Sequence, residues 1–228
     1  MILEQQGRQM SETMKVGALL ALAGGFMDAY TYFLHGGVFA NAQTGNIVLL
    51  GVYAAQGELV HAMHYLLPIV AFAVGVVLTE LVKLKYRNWE TLHWRQLMLL
   101  GEVILLFACG FVPAGQWDTA VNVTVSFVCS LQVSTFRKIR GCACATTMCT
   151  GNLRSGTEQL CRWLLKGERD AVEKMQCYFI LILFFVLGAA LGVWCIGWMQ
   201  AKALWLCCAL GLGAVALMFR EQEKDERR

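Results

Sequence analysis

The chain has 228 residues, 57% of them hydrophobic and only 15% charged, with a mean hydropathy of +0.54. Soluble domains run near a quarter charged, so the composition excludes a water-soluble globular domain and points to an integral membrane protein. A formal net charge of +3 makes no case for a nucleic-acid partner; the placement of the basic residues relative to the apolar runs is what carries information.

Residues 1–15 are polar and read as a short cytoplasmic tail. Ala21-Leu22-Ala23 has the small-residue look of a signal-peptide cleavage site, but cutting there would cut through the first of two repeats just before its motif, so that reading is set aside. Six runs are long enough, or nearly so, to cross a hydrocarbon core that takes about 20 helical residues: 16–34, 65–82, 97–112, 119–136, 177–199 and 203–219.

Two stretches between these runs resemble each other. Gly36 to Asn46 reads Gly-Gly-Val-Phe-Ala-Asn-Ala-Gln-Thr-Gly-Asn, and Gly141 to Asn152 reads Gly-Cys-Ala-Cys-Ala-Thr-Thr-Met-Cys-Thr-Gly-Asn. Both end in Thr-Gly-Asn and both follow an apolar run. Thr44 and Thr150 are 106 residues apart, close to half the chain. Upstream, Asp28, Thr31, Tyr32 and Gly37 fall opposite Gln132, Thr135, Phe136 and Gly141. The pattern reads as an internal duplication.

The segments after each motif, 46–56 and 152–165, either span, giving eight crossings, or enter and return on one side, giving six. With six crossings and a cytoplasmic N-terminus, every one of the 19 basic residues except Lys202 faces the cytoplasm, and the connection 35–64, free of Lys and Arg, lies outside. With eight, the clusters from Lys83 to Arg95 and from Arg137 to Arg140 move outside and the bias nearly vanishes. Because Lys/Arg asymmetry sets orientation, six crossings are expected.

Three crossings per repeat, an odd number, insert the second repeat upside down relative to the first, a recurring transporter plan. The expected fold is therefore all-α: a cytoplasmic tail 1–15, a single membrane domain 16–219 built of inverted repeats 16–115 and 116–219, and a charged cytoplasmic tail 220–228. The motifs enter from opposite sides and meet near the midplane, since irregular backbone at that depth must be sheltered by protein or water.

Gly45 and Gly151 permit close approach, and Thr44 and Thr150, or Asn46 and Asn152, are good N-caps for the following helices. Helix N-termini aimed at the midplane favour a neutral or anionic solute. The competing reading is that these small and polar residues only pack helices together. The path is assigned to Asp28, Tyr30, Asn41, Gln43, Thr44, Gly45 and Asn46 from the first repeat, and to Gln132, Ser134, Thr146, Thr147, Thr150, Gly151 and Asn152 from the second.

Among acidic residues in the runs, Glu80 sits near Lys83 and Glu102 near the inner end of its run. Asp28 stands out because its repeat partner is the neutral Gln132, and ionisable groups within spans are usually functional or paired. Arg154, Glu158 and Arg162 share one helix face, read as a solvated surface. Gly188-x-x-x-Gly192 is a close-packing motif, serving contact within the fold or a homodimer. Trp94, Trp117, Trp198 and Trp205 read as interfacial anchors. Most of the ten cysteines sit in apolar runs, where Cys behaves as a small hydrophobe. Neither Cys142-x-Cys144 nor the His61/His64 pair completes a zinc set, so no metal and no cofactor are expected.

The strings Gly24-Gly25-Phe26-Met27-Asp28-Ala29-Tyr30-Thr31-Tyr32, Phe39-Ala40-Asn41-Ala42-Gln43-Thr44-Gly45-Asn46, Ser134-Thr135-Phe136-Arg137-Lys138-Ile139-Arg140-Gly141 and Ala145-Thr146-Thr147-Met148-Cys149-Thr150-Gly151-Asn152 resemble the YoaK-like family of bacterial six-helix membrane proteins of unknown function. The resemblance implies a bacterial inner-membrane location and supports six crossings, with both termini cytoplasmic on the charge argument above; it brings no substrate and no catalytic residues. The leading expectation is a small-solute channel or secondary transporter whose partners are the lipid bilayer and a small solute or ion. The alternative is a non-transporting scaffold or assembly partner. No nucleophile–base pair, metal motif or nucleotide loop argues for an enzyme.

Overall fold

The structure, a computed structural model, describes residues 13–86 and 94–226, with side chains through residue 220. Most of the expected N-terminal tail, and Arg8, Arg87, Arg227 and Arg228 among the counted basic residues, lie outside the described residues. Among the described residues the chain forms α1 (Met14–Leu34), α2 (Gln43–Ala55), α3 (Leu59–Tyr86), α4 (Trp94–Cys109), α5 (Asp118–Thr135), the strands β1 (Lys138–Ile139) and β2 (Cys142–Ala143), α6 (Cys149–Lys166), α7 (Arg169–Met199) and α8 (Trp205–Glu226).

Each of the six apolar runs is helical, and local chemistry sets the ends. The Thr13 hydroxyl accepts the Val16 N–H at 3.4 Å and caps α1. Gly167, at φ +67°, closes α6 in a left-handed C-cap. Helix α7 starts eight residues before its apolar run because the polar stretch from Arg169 to Gln176 continues the same helix. Between α7 and α8 the chain turns through a 3-10 segment, Gln200–Leu204.

Among the described residues the chain is all-helical apart from one short hairpin. β1 and β2 pair antiparallel around Arg140 and Gly141, whose φ angles of 51° and 78° make the double left-handed turn that tight hairpins require. Gly36 and Gly37, at the matching place in the first repeat, are also left-handed, at 80° and 75°. In both halves, therefore, two consecutive left-handed residues lie between the long helix and the motif that follows it.

The molecule is a membrane protein. Among the described residues, three stretches are long and apolar enough to cross a bilayer: α1, α3, and Arg169–Arg220, which contains α7 and most of α8. Helix α4, at 16 residues, is about 24 Å long. Helix α5 is diluted by Asn122, Ser126, Ser130, Gln132, Ser134 and Thr135, all of them buried in the bundle.

Helix α1 packs most extensively on α7 and then on α8, while α5 packs on α3 and then on α4; α2 lies on α3, α6 on α7, and α4 on α8. Exchanging α1 with α5, α2 with α6, α3 with α7 and α4 with α8 leaves these pairings unchanged. Glycine permits the closest crossings. Gly25 of α1 abuts the Phe185 carbonyl of α7, and Gly188 of α7 abuts the Leu22 carbonyl of α1; a Cβ at either position would overlap that carbonyl. Gly192 faces Phe26 and Ala29. The Gly188-x-x-x-Gly192 motif is thus used inside the fold.

Side chains tie the helix ends together at two opposite places. At one, the end of α1 meets the starts of α3 and α5: His35 Nδ1 lies 2.7 Å from Asp118 Oδ1, His64 Nδ1 lies 2.8 Å from Thr119 Oγ1, and Asn122 Nδ2 donates to the His35 carbonyl at 2.7 Å. At the other, Ile139 packs against Gly17 near the start of α1 and with Cys177 near the start of α7. Arg137 there pairs with Glu80, which also binds Lys83 at 3.3 Å.

Candidate functional site

Gly24 is the midpoint of α1, and both Thr-Gly-Asn elements reach it. From the first, Asn41 Nδ2 donates to the Gly24 carbonyl at 2.9 Å. From the second, the backbones of Thr146 and Thr147 lie against the Gly24 Cα, where an added Cβ would stand 3.1 Å from the Thr146 carbonyl oxygen and 3.3 Å from Thr147 Cα. One turn along α1, Asp28 Oδ1 accepts the Asn41 N–H at 2.8 Å. Gln132, its repeat partner on α5, donates through Nε2 to the Leu20 carbonyl at 2.9 Å and to Thr146 Oγ1 at 3.1 Å. Each member of the Asp28/Gln132 pair thus anchors the element that follows its own helix, the acid by accepting and the amide by donating.

The two motif asparagines make matching bonds. Asn46 Nδ2 donates to the Phe39 carbonyl at 2.8 Å, and Asn152 Nδ2 to the Ala145 carbonyl at 2.6 Å, each seven residues back. Beyond this they differ. Asn152 Oδ1 accepts the Ala145 N–H at 3.2 Å, whereas Asn46 Nδ2 also reaches Gln43 Oε1 at 3.1 Å and its own Oδ1 has no protein partner. Asn41 Oδ1 and Thr147 Oγ1 are also buried without a partner.

Of the residues assigned to the path, Asp28, Asn41, Gln43, Asn46, Gln132, Ser134, Thr146, Thr147 and Asn152 are buried. Thr44, Thr150 and Gly151 are exposed and Gly45 is half-buried. The capping expectation fails for a local reason: the helices start at Gln43 and Cys149, so Ala42 and Met148 hold the N-cap positions, with no side-chain bond. Thr44 and Thr150 fall within the first turn and face outward. Tyr30 is buried but sends its hydroxyl to the Ala201 carbonyl at 3.2 Å, away from the motifs.

Gly24 itself was not singled out as a contact, although a Gly-Gly pair halfway along an apolar run was a readable signal for close approach. The His35–Asp118–Asn122 cluster was missed because its members come from segments 83 residues or more apart. Trp94 packs inside with Met98 and Leu131, whereas Trp117 and Trp198 are exposed, as interfacial anchors should be. Arg154 and Glu158 pair at 3.0 Å on an exposed face.

A family model described as "Protein of unknown function (DUF1275)" matches residues 16–218. The transmembrane protein YoaK (UPF0700) of Bacillus subtilis strain 168 is 26% identical over 181 residues, covering 75% of this chain and 79% of that protein. No solved structure matches.

Proposed function

We propose a solute-conducting role for this chain, which belongs to the DUF1275 family of membrane proteins of unknown function: a small-solute channel or secondary transporter built from two inverted three-crossing repeats. The observation that carries the reading is the meeting of both Thr-Gly-Asn elements at Gly24, halfway along α1.

The order of contacts along the chain supports re-entry. The chain leaves α1 at the end marked by His35 and Asp118 and returns to the level of Gly24 at Asn41. It then runs through α2 back toward that same end, where His64 of α3 meets Thr119. The second element does the same from the opposite end, leaving at Ile139 beside Gly17, touching Gly24 at Thr146 and Thr147, and returning through α6 to the start of α7. Two segments entering from opposite ends to one mid-depth residue is the inverted-repeat transporter plan. The unchanged pairings on exchanging repeats, and the paired left-handed residues, support the duplication. The charge distribution supports a cytoplasmic position for the Lys83, Arg137 and Lys166 end, and for both termini with it. The location is the inner membrane of a bacterium, and no enzymatic chemistry is assigned.

Unpartnered polar atoms at that depth favour a path over packing alone, because packing motifs in membranes satisfy their polar groups within the protein. Reconstitution of the full chain in liposomes tests the proposal: entry of a small solute from a panel of radiolabelled amines, polyols, amino acids and anions, absent from protein-free vesicles, supports it. Intact, folded protein giving no flux for any member favours a scaffold.

A further inference from the structure

We infer that the chain holds an anionic phospholipid beside the turn between α7 and α8, with its phosphate at Lys202 and one acyl chain in the groove between α4 and α5. The site lies at the end of the bundle marked by His35 and Asp118, and it does not depend on the conducting role proposed above.

Two cavities adjoin there. One, of about 580 Å³, is lined by Gly110, Phe111, Trp198, Gln200, Lys202 and Trp205. The other, of about 440 Å³, is lined by Leu105, Ala108, Val112, Ala120, Val121 and Thr124. Phe111 and Pro113 belong to the walls of both. The two differ in depth. The first lies where α7 gives way to the 3-10 segment and α4 has just ended. The second reaches back to Leu105, four residues before the end of α4, and to Thr124, six residues beyond the start of α5, which is about 6–9 Å along the helices. The exposed Trp117 and Trp198 mark the level of the helix ends as the membrane boundary. A cavity at headgroup level that continues into an apolar groove running toward the hydrocarbon has the shape of a lipid.

The headgroup cavity carries one charge without a counter-charge. Lys202 is exposed and, among the described residues, forms no ion pair. The acids of this end are committed elsewhere, Asp118 to His35 at 2.7 Å and Glu58 to His61 at 3.0 Å. Lys202 Nζ stands 5.9 Å from the centre of the Trp205 ring. That ring is a fixed wall: its Nε1 donates to the Phe107 carbonyl at 3.1 Å, and it stacks on the Phe107 ring. A lysine ammonium binds phosphate as a point charge, and at a membrane surface it attracts anionic headgroups. A headgroup that brings its own cation, such as choline, sets that cation against Lys202 and is disfavoured. The acyl chain meets Leu105, Val112 and Val121 in the groove.

The test is photo-crosslinking of the purified full-length protein, in a neutral detergent, with phosphatidylglycerol that carries a diazirine in its acyl chain; labelled peptides are mapped by mass spectrometry. Label is expected on residues 105–124 above the level on Val70, Val74 and Val77, exposed side chains of α3 that serve as the background. Unlabelled phosphatidylglycerol competes at about 5-fold lower concentration than phosphatidylcholine of the same chains, the worth of one basic residue at an anionic surface, and free glycerol phosphate does not compete. Lys202→Gln alters an exposed side chain without an ion pair, so the fold is retained, while groove label falls about 5-fold. Lys166→Gln, at the opposite end, leaves it unchanged. Ala108→Trp and Ala120→Phe, both at exposed positions, fill the groove and remove the label; a monodisperse peak in size-exclusion chromatography from either one suffices to read the result. Label no higher in the groove than on α3, equal competition by phosphatidylcholine, competition by free glycerol phosphate, or groove label unchanged in Lys202→Gln or in a folded groove-filling variant each overturns the inference.

Discussion

Asn152→Leu isolates what the second motif asparagine does. The side chain holds Ala145 by both of its backbone groups, donating to the carbonyl at 2.6 Å and accepting the N–H at 3.2 Å. Leucine of similar size leaves both groups without partners. Each stranded group costs about 1–3 kcal/mol. Ala145 is half-buried, so the lower end of that range applies, about 2–3 kcal/mol for the pair. At about 2–4 °C per kcal/mol for a chain of this length, the melting temperature falls by about 5–10 °C. Asn46→Leu strands one backbone carbonyl, that of Phe39, because its Oδ1 had no partner to lose and Gln43 is a side chain that can rotate. Its fall is about half as large. Tryptophan-fluorescence melting of the two purified variants beside the parent measures both. Equal falls, or a fall under about 2 °C for Asn152→Leu, refute the assignment of Asn152 as a two-handed clamp on Ala145.

Other predictions follow the same contacts. In a background lacking the native cysteines, single cysteines at Gln56 and Glu58 are labelled by an impermeant reagent from outside, while those at Lys85 and Lys166 are labelled only after the membrane is opened; external labelling at Lys85 defeats the six-crossing arrangement. Burial pushes the His35 imidazole below its ordinary 6.5, only partly opposed by the Asp118 hydrogen bond and charge. The unfolded chain therefore binds this proton more readily, so the stability that neutral His35 contributes is complete above about pH 6.5 and declines as pH falls below it. His35→Gln flattens that slope in a melting-temperature series from pH 7 to 5. Gly188→Leu drives a side chain into the Leu22 carbonyl, and the yield of monodisperse protein in size-exclusion chromatography collapses, whereas Gly51→Leu, which meets nothing nearby, leaves it unchanged.

What the amino-acid pattern revealed, and what it hid, divides by range. The apolar runs became helices because their cause is local. The buried positions of Asn46 and Asn152 followed from their recurrence in matched places. Thr44 and Thr150 were misjudged because the helices begin at Gln43 and Cys149, one residue before each threonine, and a shift that small moves a side chain around the helix to the outer face. The β1–β2 hairpin depends on Arg140 taking a left-handed conformation that no arginine announces. Gly24 as the meeting place requires knowing that residues 17 and 123 positions further along the chain fold back onto it, which one sequence does not state.

The exchange of partners between the repeats also bears on how the protein is made. Helix α1, the first to leave the ribosome, has its largest contact with α7, and α5, which opens the second half, has its largest contact with α3 of the first. Each half is therefore completed by a helix belonging to the other. During synthesis α1 must wait in the lipid, its glycine face unmatched, until more than 150 further residues have been inserted. Loop closure over such distances comes late and is slow. A gene cut between α4 and α5 yields two fragments that each lack their central packing partner. Neither accumulates when expressed alone, and a folded bundle is recovered only when both are made in the same cell.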